Sequence, residues 1–124
     1  VMIYGEKSNG QNPTKFDYSA SKGKLNIDLV VPNLKSSASY VLCLNGKSGL
    51  DGNEAICQSG GKKYGPECYL DFKTVFSNKQ GNLSYTGTVS LVSSKYDVTF
   101  LIKDVEDNYK AVVIIDHCKF EIPQ

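Results

Sequence analysis

The sequence predicts an all-β domain stapled by disulfides. Three observations predict it. Apolar residues recur with a period of two along most of the 124-residue chain, and Gly, Pro, Asn and Asp punctuate these runs. Four cysteines, Cys43, Cys57, Cys68 and Cys118, lie within or beside them.

The elements follow in order. Phe16 opens a short strand-like run over 16–19. Leu25, Ile27, Leu29 and Val31 then alternate with mostly polar neighbours, until Pro32 and Asn33 stop the strand. Residues 40–44 (YVLCL) are apolar on both faces, as in a central buried strand. Leu70, Phe72, Thr74 and Phe76 alternate, and a turn over 78–81 ends in Gly81, which is free to take positive φ. Residues 83–92, rich in Thr, Ser, Val and Tyr, form the next strand. Tyr96, Val98, Phe100 and Ile102 give the clearest alternation in the chain. After a polar turn over 104–108, residues 109–115 run apolar on both faces, and residues 117–122 close the chain with Cys118, Phe120 and Ile122 on one face. No amphipathic helix is evident, and no internal repeat.

Many short strands with turns between them indicate an antiparallel β-sandwich, of immunoglobulin-like build, with about seven to eight strands. The tryptophan and cysteine spacing of true immunoglobulin domains are missing, so the likeness is one of architecture. The length suits one domain, over 14–124, preceded by an arm and spacer over 1–13. The arm, Val1, Met2, Ile3 and Tyr4, is strand-prone, and the polar spacer (residues 5–14) sets it off from the body. A second irregular segment, the Gly-rich loop 45–68, is long enough to imply a function or a staple.

The cysteines indicate an oxidising address, extracellular or at the cell surface. Closure entropy does not choose among the three pairings. Locality favours Cys57 with Cys68, and strand position then leaves Cys43 with Cys118. Four free buried thiols are the rival reading. A zinc site fails on spacing, since no pair is separated by two residues. A start at Val1 and not at methionine fits a chain cut from a secreted precursor.

Composition narrows the function. Fourteen lysines balance thirteen acids, and arginine is absent, so nothing favours a nucleic-acid or phosphate site. The longest apolar run, residues 111–115, is strand-sized, and no membrane insertion is expected. His117 is the only histidine; it excludes a multi-histidine metal site, and its neighbour Asp116 points to the opposite face of a strand. The scattered carboxylates mark no acid–base pair. The expectation is therefore a protein that is not an enzyme and carries no cofactor.

Three groups of residues remain as candidates for contact. The arm either folds back as the domain's own first strand or adds as a strand to an open sheet edge, including that of another copy. Lys62, Lys63 and Tyr64 pair cations with a ring at a loop tip, suited to a sugar or a partner surface. Two acidic turns, Asp51, Asn53 and Glu54 and then Asp104, Glu106, Asp107 and Asn108, offer oxygen ligands for calcium, although ordinary turns use the same residues. Asn82, followed by Leu83 and Ser84, is a glycosylation sequon. The function expected is a structural or adhesive surface module that works by protein contact and self-assembles through its arm. The alternative is a carbohydrate- or calcium-dependent binding module using loop 45–68.

Overall fold

A computed structural model describes residues 6–10 and 12–124, the first stretch through its backbone alone. Nine strands form among these residues: β1 (Glu6–Gly10), β2 (Lys15–Ser21), β3 (Lys24–Val31), β4 (Ser39–Gly46), β5 (Lys62–Tyr64), β6 (Glu67–Phe76), β7 (Leu83–Ser90), β8 (Ser94–Asp104) and β9 (Lys110–Ile122). They build two antiparallel sheets, a larger one in the order β1-β9-β8-β4-β6-β5 and a smaller one in the order β2-β3-β7. The chain crosses between sheets after β1, after β3, after β6 and after β7, so neither sheet is a simple meander.

The period of two in the sequence becomes the buried face of each sheet. On β3, Leu25, Ile27, Leu29 and Val31 are at most 2% exposed and their alternates are not buried. Leu83 and Val89 of β7 join them from the smaller sheet. Tyr40, Leu42, Leu44, Val98, Phe100, Ile102, Val113 and Ile115 meet them from the larger sheet. Phe16 stacks on Phe100 with ring centroids 4.6 Å apart, which ties the layers together. Each large side chain so buried contributes about 1.5–3 kcal/mol of transfer free energy. The turn before β7 needs its glycine. Gly81 has φ of 81°, and a Cβ there would lie 2.2 Å from the Leu34 carbonyl oxygen.

Several expectations change in detail. The separate strands expected at 109–115 and 117–122 are one, β9. His117, at φ of 57°, sits in a bulge between the pairs Val98–Cys118 and Phe100–Ile115, so β9 absorbs an extra residue and stays in the sheet. Residues 5–14, expected as a spacer, contain β1, which pairs with β9 from Glu6 opposite Asp116 to Gly10 opposite Val113. Val1, Met2, Ile3 and Tyr4 lie outside the described residues. Loop 45–68 holds β5 and a one-and-a-half-turn helix, α1 (Asn53–Gln58), which buries Ala55 and Ile56. Six residues are too few for a helical period to register in the sequence. No helix among the described residues is long and apolar enough to cross a membrane.

Of the two expected disulfides one is present. Cys57 at the end of α1 and Cys68 on β6 are bonded, with their Cα atoms 5.4 Å apart. Cys43 and Cys118 are free thiols, both buried, and the bridge expected between them is absent. The strand order is the reason. β8 lies between β4 and β9, so the two backbones are about 9.5 Å apart, beyond the roughly 7 Å that a disulfide spans. Their side chains also face opposite ways. Cys118 lies in the inter-sheet core, whereas Cys43 is out of phase with its inward neighbours Leu42 and Leu44.

Candidate functional site

The outer face of the larger sheet carries a cleft at its β5–β6 end. Lys62 and Tyr64 line one wall, Tyr69 and Asp71 of β6 the floor, and Lys103 of β8 and Tyr109 of the β8–β9 turn the other wall. Its volume is about 640 Å³, within the range of small-molecule pockets.

Register explains the convergence. Lys62 pairs with Tyr69 and Tyr64 with Glu67, so the outward phase of β5 lies beside that of β6. Asp71 pairs with Cys43, and Cys43 with Leu101, so Asp71 and the outward residues of β8 face each other over β4. The Lys103 ammonium reaches Asp71 at 2.7 Å, and this ion pair bridges β4. Beneath it Cys43 is fully buried. Burial, helped by the Asp71 carboxylate, pushes the Cys43 thiol up to about 12 and makes it a poor nucleophile. Burial opposes the charge on Lys103, but Asp71 outweighs it and holds the ammonium above the ordinary lysine range. Tyr69 is raised too, by burial first and then by Glu67, whose carboxylate accepts a hydrogen bond from the Tyr69 hydroxyl at 3.2 Å.

The wall carrying Lys62 and Tyr64 is tied down by a disulfide and several hydrogen bonds. The Cys57–Cys68 disulfide ties α1 to β6 just before it. Gly60 and Gly61 donate their N–H groups to the Cys57 and Ile56 carbonyls at 3.1 and 3.0 Å. Gly61 is wedged in, since a Cβ there would lie 2.8 Å from both the Ile56 and Tyr69 carbonyl oxygens. The Asn53 side-chain amide donates to the carbonyls of Gly46 at 2.6 Å and Pro66 at 3.2 Å, closing the base of the insertion. Tyr64 then stands edge-on to Tyr69, with centroids 5.7 Å apart, and remains 63% exposed. Across the cleft Tyr109 is 54% exposed and has φ of 60°, a left-handed conformation that a bulky side chain rarely adopts. Such a residue points to function more strongly than its exposure alone.

The structure brings two of the three loop-tip candidates together. Lys62 and Tyr64 share one face of β5, and Lys63 between them belongs to the other face. Asp51, Asn53 and Glu54 line a separate depression with Ser93 and Ser94. Asp104, expected in an outward acidic turn, points inward. It is 2% exposed, binds the Lys35 ammonium at 2.7 Å and caps the following 3-10 turn through the Glu106 N–H at 3.0 Å. No group of three or more His, Cys, Asp or Glu side chains converges to hold a metal among the described residues. His117 Nδ1 lies 3.0 Å from Asp97, while Asp116 accepts from Thr99 at 2.7 Å and from Lys47 at 3.1 Å. Asn82 and Ser84 of the sequon are exposed on either side of buried Leu83.

Tyr69, Asp71, Lys103 and Tyr109 were not legible as site residues. Each occupies the outward phase of an otherwise ordinary strand or turn. Only the order β5-β6-β4-β8, which the sequence does not state, places them side by side. No protein-family model and no curated protein matches this chain.

Proposed function

We propose that this chain is a non-enzymatic binding module of the cell exterior that works by contact through the tyrosine-lined cleft. The cleft itself carries the reading: three tyrosines and an ion pair converge in a concavity whose wall is tied to the sheet by a disulfide. Preorganisation of this kind lowers the entropy cost of binding. The disulfide supports an extracellular or cell-surface address. The strand order supports the immunoglobulin-like reading of the sandwich. Taking β2, β3, β4, β6, β7, β8 and β9 as strands A, B, C, C′, E, F and G puts A-B-E in one layer and G-F-C-C′ in the other. Immobilised glycan and peptide arrays test the reading. Binding by the wild-type chain should disappear in Tyr64→Ala and Tyr109→Ala, and binding that both variants retain would refute the cleft as the contact surface.

A second reading, contact between copies by strand addition, is favoured by one observation. Among the described residues β6 pairs beyond Tyr69 with β4 alone, which leaves its other edge uncovered by them along 70–76, ending in Phe76, which is 69% exposed. The apolar arm of a second copy is the partner this reading requires. Deleting residues 1–5 should convert an assembled protein to monomer. A full chain that is monomeric at high concentration removes this reading.

A further inference from the structure

Resting on the cleft as the binding surface, we propose that its ligand is an anionic saccharide, a short glycan bearing carboxylate or sulfate groups.

The lining has the three chemistries that such a sugar needs. Exposed ring faces on Tyr64 and Tyr109 suit the C–H faces of pyranose rings. The Lys103–Asp71 pair puts a donor and an acceptor 2.7 Å apart, a spacing matched to neighbouring hydroxyls: one donates to the carboxylate and the next accepts from the ammonium. Lys62 supplies a further cation, exposed at the wall, so the lining residues carry two ammonium groups against one carboxylate, with the Glu67 carboxylate at the margin engaged by the Tyr69 hydroxyl. That excess selects for negative charge in the ligand. Arginine is absent from the chain, so the anion meets a compact point charge and not a planar fork. Carboxylate and sulfate can both satisfy it.

A peptide fits less well. The cleft lies on a sheet face, where the backbone groups of β6, β4 and β8 are engaged with neighbouring strands, so an extended peptide finds no open backbone ladder there. Nor does the cleft fit an enzyme's role. The cysteine beneath it is buried, and among the lining residues Asp71 has no second carboxylate opposite it for acid–base work.

The test is titration of the oxidised full chain with three probes of equal length, read by calorimetry and NMR: a trigalacturonate, a sulfated trisaccharide and a neutral cellotriose. At low salt an acidic probe should bind more tightly than the neutral one. Lys62→Gln should weaken the acidic probe about fivefold, the upper end for a partly exposed charge pair, and leave the neutral probe unchanged. Preference for the sulfated over the uronate probe assigns sulfate, and the reverse assigns carboxylate; either supports the proposal. Equal binding of neutral and acidic probes, lost in Tyr64→Ala, overturns the charge inference and leaves the cleft reading standing. Saccharide binding indifferent to Tyr64→Ala overturns both. No binding of any probe, while a peptide is captured through Tyr64, overturns the saccharide class alone. Circular dichroism of each variant confirms that the fold is retained.

Discussion

Tyr109 holds the clearest conflict between local preference and observed structure. Asn108 tolerates its left-handed backbone, but the tyrosine beside it does not, at a cost of roughly 1–2 kcal/mol. Tyr109→Asn should therefore raise stability by about 0.5–1 kcal/mol in denaturant melts while weakening ligand binding. A variant that loses stability would remove strain as an argument for function. Asp104 gives the opposite case. Its carboxyl is pressed up by burial but held below the ordinary range by Lys35 and the Glu106 N–H. A depressed folded pKa means that its stabilisation is complete above about pH 4 and fades as pH falls through the folded value. Asp104→Ala, which also removes the cap, should cost about 1–2 kcal/mol at neutral pH. It should also flatten the acid limb of a stability–pH profile. The free thiols act at the other end. Burial raises Cys43 and Cys118 from 9.0 to about 12, so their contribution is present below pH 9 and lost as pH rises toward 12. Replacing both with alanine should shallow the alkaline fall in melting temperature over that range.

At the scale of elements, strands were legible wherever one face is buried and the other wet. The buried alternation of β3 and the tip-to-tip run of β8 are the sequence pattern made visible. What failed had local causes. A positive φ at His117 carries β9 through a bulge where alternation alone suggests a break. Short pieces in the 45–68 insertion, α1 and β5, derive their order from covalent and tertiary ties and not from propensity. Cutting the tie tests this. Cys57→Ser with Cys68→Ser should lower stability by about 3 kcal/mol, the value for a loop of this size. The same change should broaden the NMR signals of Gly60, Gly61 and Tyr64 while leaving β3 unaffected. Equal loosening of β3 would mean that the bond staples the whole domain and not the cleft wall.

At the scale of the molecule, two layers of antiparallel sheet follow from apolar alternation. The order of strands does not. Alternation tells each strand which face to bury but not which neighbour to pair with. The same gap accounts for the misassigned bridge and for the unseen site. Cys43 and Cys118 look joinable until β8 is placed between them, and Tyr69, Asp71, Lys103 and Tyr109 look unrelated until β4 is placed beneath them. One face of the larger sheet thus holds an aromatic cleft with a disulfide-tied wall, and we propose recognition through that cleft. The most direct test is NMR mapping of the oxidised full chain with the best-binding array ligand. Shifts confined to Lys62, Tyr64, Tyr69, Asp71, Lys103 and Tyr109 are predicted. Shifts that spare these residues and gather along β1, or around Asp51 and Glu54, would contradict it.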